Sequence, residues 1–198
     1  MKPLSVNVVR AHEDWTAGHV SPSPASKYDI WVASSKITPV KNAILEIRFI
    51  SIQTGQDTVP SQRHIVTVKP NCTTVVCQDI RIENPGSLDD AFVIFAKLLV
   101  DDRVITRHTD WPQPYKYLSF AEDRGLEVKL TDSYQQLHIS SLRPVKGLVF
   151  NERPGLTFSD NGIDVIPGET YCVDVKGLEE NEFPEYMFLG IHDGQANT

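Results

Sequence analysis

Histidines, carboxylates and amides that could do chemistry fall into several short groups. His12, Glu13, Asp14 and His19 are metal-ligand types, but a zinc helix of the H-E-x-x-H kind needs its second histidine four positions after the first, so that both rings share one face. Thr16 stands at that position, and the group reads as a surface turn leading into the first strand. Asp160, Asn161 and Asp164, within FSDNGIDVIPGE at 158–169, offer oxygens to a hard cation, yet a calcium loop takes ligands at alternating positions and closes on a distal glutamate. The same side chains are good at bonding their own backbone and tolerate positive φ. They read as caps of a turn, followed by a short strand of Ile163, Val165 and Ile166 and a second turn at Pro167-Gly168. No metal site is expected.

Two Asn-Glu pairs, Asn151-Glu152 and Asn181-Glu182, invite comparison with glycoside hydrolysis, which holds two carboxyl groups about 5 to 10 Å apart across the scissile bond. Both pairs sit beside Pro or Gly in expected loops. A (β/α)8 barrel to carry them takes about 250 residues and eight strand-helix units, and no such pattern is present, so no catalytic residue is expected. Nor is there a G-x-S-x-G elbow, a G-x-x-x-x-G-K-[ST] loop or a G-x-G-x-x-G turn, which removes the positive evidence for serine catalysis and for nucleotide binding. Trp15, Trp31 and Trp111 could stack on sugar rings; each is equally at home in a core or an interface.

The elements that would position these residues are strands. Tyr28, Ile30 and Val32 alternate with polar residues, and so do Ala43, Leu45, Ile47 and Phe49 before a turn at 54–57. That is the period of antiparallel strands with one buried face. Strands are also expected over 65–68, 73–77 and 104–108. Phe92, Ile94, Ala96, Leu98 and Val100 share one face of a longer strand, while Val93, Phe95 and Leu99 occupy the other, which predicts cover on both sides. After the Pro-rich DWPQPYKY at 110–117 the pattern restarts at Leu126, Val128 and Leu130 and runs through Leu137 and Ile139, 148–150, Tyr171 to Val175 and 186–191. Two prolines remove backbone donors there. The expectation is all-β: two tandem immunoglobulin-like antiparallel β-sandwiches, at 1–109 and 118–198, joined by a linker at 110–117.

Composition bounds the function. The 198 residues carry a net charge of -7, which disfavours a phosphate backbone as partner. Cys72, Cys77 and Cys172 are odd in number and lack metal spacing, so free, buried thiols are expected. Asn71-Cys72-Thr73 is formally a glycosylation sequon, but no signal-peptide stretch opens the chain and the longest apolar run, 91–100, is interrupted by Lys97. A cytoplasmic location without membrane contact is the expectation.

The stretches KP near the start, AHEDWTAGH (11–19), DWPQPYKYLSF (110–120), RGLEV (124–128) and FSDNGIDVIPGE (158–169), taken in that order, resemble the C-terminal part of fungal β-mannosidases of glycoside hydrolase family 2. The resemblance covers nearly the whole chain. It implies a mannosidase immunoglobulin/carbohydrate-module-like domain followed by a terminal immunoglobulin-like domain. It further implies a parent that hydrolyses terminal non-reducing β-D-mannose residues with retention, without metal or organic cofactor, using two glutamates on a (β/α)8 barrel. No position here corresponds to either glutamate, so the chain by itself is expected to be inactive and the barrel to be its partner. Trp15 and Trp111 are then the candidates for packing between domains or for holding a mannose-containing glycan. Two rival readings are a standalone carbohydrate-binding module and an immunoglobulin-like interaction module.

Overall fold

The computed structural model describes residues 3–10, 25–83, 91–112, 115, 118–131, 134–179 and 182–190. Among them there are strands and turns and no α-helix. The chain divides into two units, one of residues 1–51 with 57–119 and the other of 120–198 with 52–56. Each is an immunoglobulin-like antiparallel sandwich.

The first unit contains β1 (Leu4–Arg10), β2 (Ala25–Ser34), β3 (Val40–Ser51), β4 (Gln62–Val68), β5 (Thr73–Glu83), β6 (Phe92–Val100) and β7 (Arg103–Asp110). They form two sheets, in the orders β1-β2-β5 and β4-β3-β6-β7. Period-two alternation decides what faces inward. Leu4, Val6 and Val8 meet Tyr28, Ile30 and Val32 from one sheet and Leu45, Ile47, Phe49, Ile94 and Leu98 from the other. Phe49 lies at the centre, with ring edges toward Tyr28 (5.4 Å between centroids) and Phe92 (6.1 Å). Arg10 fastens β1 across the sandwich: its Nε donates to Asp110 Oδ2 at 3.0 Å, Nη2 to the Phe92 carbonyl at 3.1 Å, and its guanidinium lies over the Phe92 ring. Val93 and Phe95, on the other face of β6, are fully buried, as their pattern predicts. Asp101 and Asp102 both take positive φ, 50° and 58°, the backbone of a two-residue hairpin turn matched to strand twist.

The second unit contains β8 (Glu127–Leu130), β9 (Gln136–Ser140), β10 (Val145–Phe150), β11 (Thr157–Phe158), β12 (Ile163–Val165), β13 (Tyr171–Lys176) and β14 (Tyr186–Met187), in sheets ordered β12-β10-β14 and β11-β13-β9-β8. Leu137, Ile139, Leu148, Phe150, Val165 and Val173 fill the space between them, and Phe150 stacks on Phe158 at 4.9 Å. The final strand is shorter than the 186–191 expected from hydrophobicity. Gly190 takes φ 79°, a left-handed turn that ends the pairing, and residue 191 lies outside the described residues.

Candidate functional site

The turn of FSDNGIDVIPGE spends its oxygens on the backbone. Asn161 Oδ1 accepts from the Phe150 N–H at 2.8 Å and its Nδ2 donates to the Phe150 carbonyl at 3.0 Å, so one amide side chain pairs with β10 as a neighbouring strand would. The Gly162 N–H also reaches Asn161 Oδ1 at 3.1 Å, and Asp160 Oδ1 accepts from the Asn161 N–H. Asp164 accepts from the Gly147 N–H at 2.9 Å and forms an ion pair with Lys146. Gly162 supplies φ 73° at low cost because it has no Cβ. Asp160 and Asn161 thus cap their own turn, as the sequence predicts, but Asn161 and Asp164 also bond β10, 11 and 17 residues away, which it does not; no group of three or more metal-ligating side chains occurs among the described residues.

Of the Asn-Glu pairs, Asn181 lies outside the described residues, as does the group of His12, Glu13, Asp14 and His19. Glu182 forms an exposed ion pair with Arg153, whose hydrogen bond is the main cause holding the Glu182 carboxyl below its ordinary range. Asn151 Nδ2 donates to Glu185 at 2.9 Å, and Glu152 lies 3.4 Å from Asn161 Nδ2. Each described carboxylate in these pairs is thus engaged in the turn structure of the second unit.

Arg124, in the RGLEV stretch, is 2% exposed. Its Nε, Nη1 and Nη2 donate to the carbonyls of Ala121 (3.0 Å), Pro144 (3.4 Å) and Leu189 (3.2 Å), and its guanidinium lies 4.2 Å from the Phe120 ring centroid and 5.4 Å from that of Phe188. Burial pulls its pKa down to about 10, which still leaves it charged at neutral pH. Only a planar fork with several donors can serve three diverging carbonyls at once. Sequence inspection missed this residue; an arginine next to Gly125 in a turn carries no signal of such convergence.

Trp15 lies outside the described residues. Trp111 is 3% exposed, so its ring faces are closed to a ligand. Trp31 is half-buried on the outer face of the β1-β2-β5 sheet, opposite Asn7 on one side and exposed Val75 on the other. The thiols are free, as expected, but only Cys77 is buried; Cys72 and Cys172 are exposed. Cys172 faces outward because it opposes exposed His138 in the β13-β9 ladder, while its neighbours Val173 and Val175 take the core. Burial raises the Cys77 pKa, and its Sγ lies 3.8 Å from His64 Nε2.

Residues 26–117 match the family model of the mannosidase Ig/CBM-like domain. The chain is 43% identical over 195 residues to β-mannosidase B of Emericella nidulans, covering 96% of this chain and 22% of that protein. It is 42% identical over 194 residues to β-mannosidase B of Aspergillus niger, covering 96% and 23%. The matched portion is the C-terminal part, and the chain spans less than a quarter of the length of these curated relatives. Among solved structures, a β-D-mannosidase from Dictyoglomus thermophilum superposes with a TM-score of 0.66 at 10% identity, covering 96% of this chain and 22% of that one. The exo-chitosanase CsxA of Amycolatopsis orientalis does so with a TM-score of 0.55 at 10% identity, covering 81% and 24%. At these identities the structural likeness is one of fold.

Proposed function

Since residues 26–117 belong to the mannosidase Ig/CBM-like domain family and the chain as a whole matches the C-terminal part of fungal β-mannosidases, we propose that it is the non-catalytic C-terminal portion of a β-mannosidase. In this reading it packs against and supports a (β/α)8 catalytic barrel in the same polypeptide. The parent reaction is hydrolysis of terminal non-reducing β-D-mannose residues with retention, by an acid/base glutamate and a nucleophilic glutamate carried on the barrel. The observation that carries the reading is the shape of the match, 96% of this chain against 22% of the Emericella nidulans enzyme. Chemistry supports it as well. A retaining pair needs two carboxyl groups about 5 to 5.5 Å apart and free to face one sugar, whereas Glu152 and Glu182 are held by Asn161 and Arg153. Trp111 belongs to this proposal as a packing residue, and a cytoplasmic location of the parent as its setting.

The test is direct. The isolated chain should release no chromophore from a chromogenic β-mannoside, and turnover that a substitution within the chain abolishes would refute the reading. A second reading, a sugar-binding module, is favoured by one observation: Trp31 sits half-buried on an outer sheet face beside Asn7, an aromatic platform with a hydrogen-bonding neighbour. Calorimetry against manno-oligosaccharides separates the two, with binding lost in Trp31→Ala marking the module and flat traces retiring it.

A further inference from the structure

Outward-facing residues of the β4-β3-β6-β7 sheet fall into rows across the strands. At one end of this face Ile50, Val93 and Phe95 are buried. At the other, Ile65, Ile44, Leu99 and Val104 stand opposite one another in register across all four strands. Ile65 is 82% exposed and Val104 36%, with Ile44 and Leu99 half-buried between them. At a strand spacing of about 4.8 Å the row is roughly 14 Å long. The parallel row beside it is Arg63, Glu46, Lys97 and Arg107, also in register. There the Glu46 carboxylate pairs with Arg63 (3.3 Å) and Lys97 (3.2 Å). Charged side chains thus border the apolar row along this side. Hydrophobics exposed singly are ordinary on a protein surface; a continuous apolar row edged by charge is the anatomy of an interface.

The position of this row says what covers it. Leu4 pairs with Ser34, and the Ser35 N–H donates to the Pro3 carbonyl at 3.0 Å, so β1 is entered at the end of the sandwich that bears the β2-to-β3 connection and Ile37, which is 90% exposed. The β4-to-β5 turn is tied to the same end by the Asn71 N–H on the Lys36 carbonyl at 2.8 Å. The Asp101-Asp102 turn and the apolar row lie there too, because Leu99 and Val104 adjoin that turn. A polypeptide as long as the curated relatives, of which this chain matches the C-terminal part, reaches the first sandwich at this end. Resting on the reading of the chain as the supporting part of such a polypeptide, we infer that the row Ile65–Ile44–Leu99–Val104 is the surface on which the preceding part docks. The face of the preceding part that meets this row is an apolar patch with a charged edge.

The experiment joins this chain to Aspergillus niger β-mannosidase B in place of its matched C-terminal part. Ile65→Asp, at a position 82% exposed, should leave the Tm of the isolated chain unchanged yet speed thermal inactivation of the fusion about tenfold; Val104→Asp, at 36% exposed, should lower that Tm slightly and speed inactivation of the fusion by more than this loss accounts for. Val75→Asp, on the outer face of the other sheet and exposed, should change neither the Tm of the isolated chain nor the inactivation rate of the fusion. Amide hydrogen exchange of β4 and β7 should be slower in the fusion than in the isolated chain. An active fusion indifferent to Ile65→Asp and Val104→Asp, with unchanged exchange in β4 and β7, overturns the docking surface and leaves the supporting role standing. An inactive wild-type fusion removes the supporting role and the surface with it. A concentration-dependent dimer of the isolated chain that Ile65→Asp abolishes makes a second copy the occupant and also overturns the inference.

Discussion

Replacing Arg124 with methionine tests whether a buried cation can hold a sandwich together through carbonyls alone. Methionine keeps an unbranched flexible stem but stops short of where the guanidinium lies over Phe120 and Phe188, and it removes the charge and donors. Against the arginine stands desolvation: a pKa pulled from 12.5 to about 10 corresponds to roughly 3 kcal/mol at 1.36 kcal/mol per pKa unit. In its favour stand three hydrogen bonds from a charged donor, about 1.5–3 kcal/mol each, and stacking over Phe120 at 4.2 Å, about 0.5–2 kcal/mol. The donors win, and Arg124→Met should cost the second unit about 3 kcal/mol or more. Arg124→Lys should be destabilising as well, because one ammonium cannot serve the carbonyls of Ala121, Pro144 and Leu189 together. Urea unfolding followed by circular dichroism, with hydrogen exchange of Val145–Phe150 to report the second unit, gives the value. Unchanged or higher stability in Arg124→Met would refute the reasoning and make desolvation the larger effect, as it is for buried pairs whose apolar replacements stabilise.

Tyr28 supplies a pH-dependent prediction. Its pKa is pushed up to about 12, chiefly by burial and secondarily by Cys77, with a hydrogen bond to Gln62 opposing. The folded value exceeds the unfolded value of 10, so its contribution is fully present below pH 10 and is lost as pH rises toward 12, roughly 3 kcal/mol in all. Spectroscopic titration should show one phenol ionising late, and Tyr28→Phe should remove that step; ionisation of Tyr28 near pH 10 in the folded chain would contradict it. Asn161→Ala should destabilise the second unit by about 2 kcal/mol, since both Phe150 backbone bonds are lost. Asn161→Asp should lose at least as much, because the carboxylate oxygen that replaces Nδ2 meets the Phe150 carbonyl and Glu152 Oε1 acceptor to acceptor, and a urea midpoint for Asn161→Asp close to wild type would count against this ladder. In Gly177→Ala, a Cβ would stand 1.8 Å from the Gly155 carbonyl oxygen at φ 83°, so thermal unfolding should show a loss of at least about 1–3 kcal/mol.

The parts of this fold legible in the sequence are those decided by period and turn chemistry. Ala43 to Phe49 alternate and are buried as they alternate; β6 is buried on both faces through Phe95, while Leu99, expected to be covered as well, is left half-buried; Asp160 and Asn161 cap their own turn. β1 was not expected, although Leu4, Val6 and Val8 alternate, because a short run broken by Asn7 and ended by Arg10 looks like the approach to a turn until its pairing with β2 is seen. The last strand came out shorter than its hydrophobicity suggests, since pairing with β10 stops where Gly190 turns. Cys72 and Cys172 defy the average burial of their residue type: one sits in a turn and the other on the outward side of β13. The candidate surface was invisible for a deeper reason. Ile44, Ile65, Leu99 and Val104 are far apart in sequence, and only register aligns them, a property of pairing between strands that no single strand encodes. Arg124 is the same kind of case, its three carbonyl partners coming from separate loops.

The uneven exposure of the thiols makes the chain a ready spectroscopic ruler. Cys72 lies in the first unit and Cys172 in the second, both open to solvent, whereas Cys77 is buried with a raised pKa. Since alkylation proceeds through an accessible thiolate, a maleimide dye or nitroxide should load the first two and spare the third. One probe then stands on each sandwich without a single substitution, and energy transfer or dipolar coupling between them can follow the distance between the units in solution, in the isolated chain and again after it is joined to a catalytic barrel.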